Sequence, residues 1–421
     1  MTDATDRLLA TQYEAYPYPA RDPREEAKRL IIGSPSHLRE IDHWIFRAAR
    51  PASRPLHALF AGGGTGDGSI MLAQQLTDAG RPGSVTWLDR SGAARKVAEA
   101  RAAVRKLGNL RFVEGSMLDL PTAGLGLFDY IDCCGVLHHL PDPLAGLRAL
   151  ASALAPGGGM GLMVYAPHGR TGVYMLQDAL RRLAPPEETP AARIDIARRV
   201  WRHVPETAWL RKNPWLTDHL SGGDAGLYDL LLNPRDVAFT VPQLATLLAE
   251  AGLEVACWVE PVRYDPDTWL PDPKLRARTA GMSPPERAAL AEALTGNMGI
   301  HIVYCRRIAE PGAPLPWEDP AAVPVLRSME GPQVAASLPP GGALPVSFDG
   351  LQTHLPLPRL AGAILQRIDG QRCFGDIADA LAANGVAREQ FWRDLGQLRR
   401  SMEALNRLLI AAPATPPPTA P

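Results

Sequence analysis

Four groups of residues in this chain have the types and spacing to do chemistry. The first is Gly62-Gly63-Gly64-Thr65-Gly66, set between the apolar run Leu56-His57-Ala58-Leu59-Phe60-Ala61 and a helical pattern over 70–76. A strand that turns through glycines into a helix brings backbone N–H groups up to a ligand, with no side chains in the way. The second is Asp89, which ends Val85-Thr86-Trp87-Leu88. It lies about twenty residues beyond the loop, the distance at which an acid meets ribose hydroxyls in nucleotide-binding sheets. The third is His138-His139, just after the strand-like Tyr130-Ile131-Asp132-Cys133-Cys134. An imidazole there could take a proton or orient a reacting group, because it titrates near neutral pH; packing of the loop is the alternative use. The fourth is Tyr13, Tyr16 and Tyr18, whose prolines at 17 and 19 break any helix and keep three phenols close together.

These residues need a scaffold, and the pattern supplies one. From Leu56 onward apolar strand-like runs alternate with helical periods, which argues for βα units and a parallel sheet. Strands are expected at 56–61, 85–89, 110–114, 130–134, 162–165, 253–259 and 299–305, with helices over 93–107 and 144–154 among those between them. Residues 167–250 interrupt the alternation. They read as inserted helices mixed with Trp201, Trp209, Trp215 and Tyr228, which could line an acceptor pocket or simply pack. The glycine spacing discriminates among ligands. The dinucleotide fingerprint G-x-G-x-x-G would need glycine at 67 or 69, where Asp67 and Ser69 stand, so a nicotinamide-dependent oxidoreductase is disfavoured.

Composition narrows the classes further. The chain has 421 residues and a net charge of −1, which gives no long-range field for nucleic acid or an anionic membrane. No apolar run approaches the roughly 18 residues of a membrane span, and no secretory start is visible. Five thinly spread cysteines suggest reduced thiols and a cytoplasmic location, and no metal site is expected.

Residues 56–166 resemble the core of class I S-adenosylmethionine (SAM) methyltransferases. The resemblance rests on the G-x-G-x-G of Gly62, Gly64 and Gly66, the acid Asp89, Asp119-Leu120-Pro121, Val136-Leu137-His138-His139-Leu140, and Leu154-Ala155-Pro156-Gly157-Gly158. It implies a Rossmann-like α/β fold with a seven-stranded, mostly parallel sheet flanked by helices. It implies SAM as cofactor, held by Ala61, Gly62, Gly63, Gly64 and Gly66, by Asp89 and Arg90, and by Ser116, Met117 and Asp119. His138 becomes the candidate catalytic residue, with Tyr13, Tyr16, Tyr18 and His139 as lid or acceptor contacts. Two positions depart from the family pattern. Phe60 stands where an acid usually precedes the loop, and Ser116 where an Asp commonly faces adenine. They motivate the alternative of a SAM-binding regulator or adaptor without catalysis. The implied partner is a small-molecule, peptide or protein methyl acceptor; neither nucleic acid nor membrane is expected.

The organisation expected is an N-terminal lid segment over 1–55, a methyltransferase domain over 56–308, a Pro-rich linker over 309–342, a small module over 343–410 and a disordered tail over 411–421. The module weakly resembles winged-helix modules that bind peptides. Its long helix, expected from 388 to about 410, carries Phe391, Leu395, Leu398, Met402 and Leu405 as an apolar seam. That seam must be buried, either within the module or in a homodimer.

Overall fold

The computed structural model describes residues 4–310, 312–340 and 342–413. Its central feature is a seven-stranded sheet in the order β3-β2-β1-β4-β5-β7-β6. The strands are β1 (Leu56–Ala61), β2 (Gly83–Asp89), β3 (Leu110–Glu114), β4 (Phe128–Cys134), β5 (Leu154–Tyr165), β6 (Leu253–Trp258) and β7 (Ile300–Arg307). β1 and β4 lie in the middle as near-continuous apolar runs, the composition required of strands covered on both faces. β7 runs antiparallel to both β5 and β6, and every other pairing is parallel. The register sets Phe60 opposite Trp87 on one side and Asp132 on the other. The loops leaving β1, β2 and β4 therefore emerge together at one edge, where the strand order reverses and open α/β sheets bind ligands.

The local signals that build these units are visible in the caps. Gly66, at φ 98°, opens the helix Asp67–Asp78. Ser91 caps Gly92–Val104 by accepting the Ala94 N–H at 3.1 Å. Asp142 caps Pro143–Ser152 through the Ala145 N–H. Thr240 and Gln243 form a reciprocal capping box at the start of Val241–Glu250.

The insertion makes its own core. Helices Val173–Leu183 and Pro190–His203 pack with the π-helical turn Tyr228–Leu232 around Leu176, Leu180, Ile194, Leu227 and Leu231, and Tyr16 of the N-terminal segment joins this cluster. Of its aromatics, Tyr228 is buried, whereas Trp209 and Trp215 are exposed.

The C-terminal region differs from the expectation at two points. The Pro-rich stretch carries β8 (Pro324–Leu326) and a helix, Gly331–Ala336. The long helix runs only over Arg388–Glu403, because Asn406 turns left-handed at φ 56° and the chain re-enters as β11 (Leu408–Ile410), antiparallel to β8. Asparagine tolerates that conformation better than most residues. Its Oδ1 also accepts the indole N–H of Trp44 at 2.8 Å, which ties the turn to the main domain. Between these strands lie the hairpin β9 (Ala343–Phe348) and β10 (Leu351–Pro356) and two helices, Ala361–Leu365 and Phe374–Ala382. Phe391, Leu395, Leu398 and Met402 are buried against Ile364, Leu365, Phe374 and Ile377 of the same chain. The seam is thus consumed internally, at roughly 1.5–3 kcal/mol for each fully buried side chain. His43 fastens the module to the sheet domain. Its Nδ1 accepts the Ile410 N–H at 3.0 Å, which leaves Nε2–H to donate to Glu403 at 3.2 Å.

The tail expected to be disordered falls, from residue 414 on, outside the described residues. Among the described residues no helix is long and apolar enough to cross a membrane.

Candidate active site

The glycine loop is shaped by what a side chain would meet. Gly62 sits at φ 80°, and a Cβ there would lie 2.3 Å from Val136 Cγ2; a Cβ on Gly63 would lie 2.2 Å from Trp87 Cδ1. The N–H groups of Gly62 and Gly63 both donate to the carbonyl of Leu88, at 2.8 and 3.1 Å, so the loop is sewn to the end of β2. Trp87 Nε1–H donates to the Gly64 carbonyl at 3.0 Å. Asp89 completes the turn: Oδ2 accepts the Gly64 N–H at 2.8 Å and Oδ1 the Ser91 N–H at 3.0 Å. Burial lifts its carboxyl above the ordinary range, while the N–H groups of Ser91 and Gly64 pull it back. Each carboxylate oxygen keeps a second lone pair, enough to accept the two hydroxyls of a ribose. This diol acceptor, held at the end of β2 beside a turn without side chains, fits a nucleoside-bearing cofactor.

The N-terminal segment crosses directly over that loop. After the helix Ala4–Ala15, the Pro19 carbonyl accepts the Thr65 hydroxyl at 2.8 Å, and Glu14 accepts the Ser91 hydroxyl at 3.1 Å. Arg21 pairs with Asp67 at 2.6 Å; Asp67 pairs with Arg101 at 2.6 Å, and Arg101 with Glu26 at 2.7 Å. Burial alone would raise the Asp67 carboxyl, but Arg21 and Arg101 outweigh it and hold it below the ordinary range. Because Arg101 and Glu26 are almost wholly buried, breaking one partner would strand a charge. The segment is clamped by ion pairs, not merely laid on the surface.

Beside the loop, Asp229 gathers residues from three parts of the chain. Its Oδ2 accepts the Tyr165 hydroxyl at 2.8 Å and its Oδ1 the Tyr13 hydroxyl at 3.1 Å, and Asn233 Nδ2 adds a third donor at 3.3 Å. Asp229 is buried, and among the described residues no lysine or arginine forms an ion pair with it. Tyr165, at the end of β5, lies between the His138 ring, stacked at 3.9 Å, and the Arg170 guanidinium, 3.7 Å from the ring centre. Arg170 is itself neutralised by Asp236 at 2.6 Å. Burial raises the phenols of Tyr13 and Tyr18, and the Asp229 charge raises both further. Asp218 is likewise raised by burial and then by Asp229, so the two carboxylates lie within each other's field.

Comparison with known proteins matches the part of the chain that builds the sheet from β1 into β5. Residues 59–160 match the family model described as a methyltransferase domain. The ubiquinone biosynthesis O-methyltransferase of Albidiferax ferrireducens is 34% identical over 93 residues, 22% of this chain and 36% of that protein. The chain carries a methyltransferase domain with the class I, SAM-dependent fold. The protein syc1184_c of Synechococcus sp. is 28% identical over 300 residues, 70% of each chain. In fold, the methyltransferase is similar to PKMT2 from Rickettsia typhi, solved in complex with AdoHcy, at a TM-score of 0.63 and 15% identity over 90% of this chain and 75% of that one. None of these comparisons shows the winged-helix resemblance of the C-terminal module.

The sequence-predicted residues of this methyltransferase fall into two sets. Ala61 through Gly66, Asp89 and the tyrosine segment come together at the sheet edge. Tyr16, however, stacks on Tyr228 at 5.8 Å, within the insertion core. Around the expected adenine turn, Ser116 uses its hydroxyl to accept the Leu118 N–H at 3.2 Å, and Met117 is buried in the main core. Asp119 and the Arg90 side chain are exposed. His138 is fully buried; its Nδ1 accepts the Tyr165 N–H at 3.4 Å, Nε2 has no partner, and burial holds its pKa well below the ordinary range. His139 donates from Nδ1 to the Arg235 carbonyl at 2.6 Å, with Tyr13 edge-on at 6.2 Å. Sequence reasoning missed Tyr165, Asp218, Asp229 and Asn233. The one available signal was a lone carboxylate inside Leu227-Tyr228-Asp229-Leu230-Leu231-Leu232, where an acid needs a reason to be buried.

Proposed function

We propose that the methyl acceptor of this enzyme is an amine, received between Tyr13, Tyr18 and Tyr165 and the carboxylates Asp218 and Asp229. The observation that carries this reading is Asp229, a buried carboxylate whose three donors are all neutral. A buried anion is poorly compensated by neutral groups alone, so the pocket favours a cationic or N–H-bearing guest. Tyrosine faces favour the same guest, and favour it more once it is desolvated.

In this reading the Gly62–Gly66 backbone and Asp89 hold the cofactor, with Asp89 accepting both ribose hydroxyls. SAM supplies, when bound, a methyl group activated by its sulfonium. The remaining work is alignment. Asp229 accepts an N–H of the amine, which gives its extra proton to solvent before it enters, and so directs the nitrogen lone pair at the methyl carbon; the positive charge of SAM passes to the nitrogen as the methyl group is transferred. Such fixed geometry is what a displacement needs, since the leaving group is already activated. The clamped segment over residues 13–21 excludes water. His138 acts as a positioning residue: neutral and stacked on Tyr165, it sets the phenol that orients Asp229. Tyr13 links the two halves, because its hydroxyl bonds Asp229 while its carbonyl accepts from Ser91 beside Asp89.

The proposal fixes the reacting group and leaves open whether a small molecule, a peptide or a protein carries it. A cytoplasmic location is part of the proposal, supported by five cysteines that are all free. The test is a panel of primary amines, phenols and carboxylates offered to the purified enzyme with methyl-labelled SAM. Turnover confined to the amines is expected, and turnover confined to phenols or carboxylates would overturn the reading.

A further inference from the structure

A second cavity lies at the opposite end of the sheet. Arg306 pairs in register with Gly159, and six residues along β5 Tyr165 faces the acceptor pocket, so the two sites are roughly 20 Å apart along the strand. The cavity has a volume of about 430 Å³, and Arg47, Arg50, Arg54 and Arg306 line it. Two of the four are only partly compensated: Arg50 pairs with Asp129 at 2.7 Å and Arg306 with Glu254 at 2.9 Å. Arg47 has a single carbonyl, that of Ala313 at 2.9 Å, and Arg54 is exposed with no ion pair among the described residues. Glu310 is the one carboxylate in the wall, and it already accepts the Gly157 N–H at 2.5 Å.

Two details make this more than a basic surface. Arg50 Nε and Arg306 Nη1 are shut off from solvent and have no acceptor among the described residues, so neither arginine is fully satisfied. Gly312 lets the arginines converge: a Cβ there would lie 2.2 Å from Arg306 Nη1 and 2.7 Å from Arg47 Cγ. The reachable donors are those of Arg47, whose only acceptor among the described residues is the Ala313 carbonyl, and of the exposed Arg54, and planar forks of this kind bind an oxyanion in bidentate fashion. The Arg47 guanidinium bears the mark of this crowding, lowered first by burial and then by Arg306.

We infer that this cavity binds a small oxyanion with two or more negative charges, phosphoryl or carboxylate, independently of the SAM site. The experiment is thermal unfolding and calorimetry of the full chain with inorganic phosphate or citrate, each against sodium chloride at equal ionic strength. Phosphate or citrate should raise the unfolding midpoint beyond the salt control, and the tighter of the two assigns the headgroup chemistry. Arg47→Gln should weaken that binding at least about tenfold, the equivalent of one lost charge-assisted hydrogen bond, and leave SAM affinity unchanged. Arg54→Gln, at an exposed position that does not endanger folding, should weaken it in the same direction. A response no larger than that to sodium chloride would overturn the inference. So would binding that survives both substitutions, or binding that competes with SAM.

Discussion

Replacing Asp229 by Asn keeps the shape of the side chain and removes its charge. The carboxylate takes the Tyr165 hydroxyl on Oδ2 at 2.8 Å and the Tyr13 hydroxyl on Oδ1 at 3.1 Å; in the amide, Oδ1 still accepts from Tyr13 and the Tyr165 hydroxyl can turn to accept from the new NH2, so the local structure should hold its form. What changes is the interaction with the acceptor nitrogen. A hydrogen bond to a charged group contributes about 1.5–3 kcal/mol and a neutral one about 0.5–1.5. Adding the lost attraction to the positive charge that develops on nitrogen, we take a deficit of about 2–3 kcal/mol, or about 30- to 150-fold in kcat/KM. SAM affinity should move by less than threefold, because Asp89 and the glycine loop are untouched. The assay is initial-rate methyl transfer to the best amine of the panel, with SAM affinity measured separately by calorimetry. Unchanged kcat/KM in Asp229→Asn would refute the assignment of Asp229 to the acceptor. A matched loss of SAM affinity would refute its separation from the cofactor site.

Four further outcomes follow from the same geometry. Asp89→Ala should weaken SAM by about 1.5–3 kcal/mol by calorimetry, the range for bonds to a charged acceptor; unaltered affinity would remove it from the ribose site. Gly62→Ala places a methyl group against Val136 and should cost about 1–3 kcal/mol in urea unfolding, on the scale of overpacking. Removal of residues 1–20 should speed SAM dissociation, since Thr65 and Ser91 lose their partners in that segment, and stopped-flow traces that match the full chain would count against a lid. Asp132 tests the electrostatics of the core. Burial lifts its carboxyl to about 7, against the Ser36 hydroxyl that donates to it at 2.5 Å. With the folded pKa above the unfolded one, its contribution is fully present below about pH 4 and lost as pH rises to 7. Asp132→Asn should therefore gain stability relative to the parent across that interval, and a difference independent of pH would contradict the shift.

The sheet was largely legible because its strands announce themselves locally. β1 and β4 are buried along most of their length and read as largely apolar runs, broken by His57 in one and by Asp129 and Asp132 in the other, and glycine between strand and helix marks the loop. The proposed acceptor site was not legible, for a reason of distance along the chain. Tyr13 and Asp229 are 216 residues apart and Tyr165 and Asp229 are 64 apart, so no periodicity or spacing couples them. The end of the last helix was missed for a different reason. The apolar period of 391–405 runs on into Leu408-Leu409-Ile410, and only the left-handed turn at Asn406 converts that stretch into a strand. Likewise β8 is three residues in a Pro-rich stretch, which becomes a strand only because β11 is there to pair with it.

The position of the transferred methyl group in the product tests the central claim most directly. Incubating the enzyme with methyl-labelled SAM and a cell extract, then locating the label by mass spectrometry, should place it on nitrogen, and the Asp229→Asn enzyme should deliver far less of it. Label found on oxygen, carbon or sulfur, at a rate indifferent to Asp229, would contradict the account.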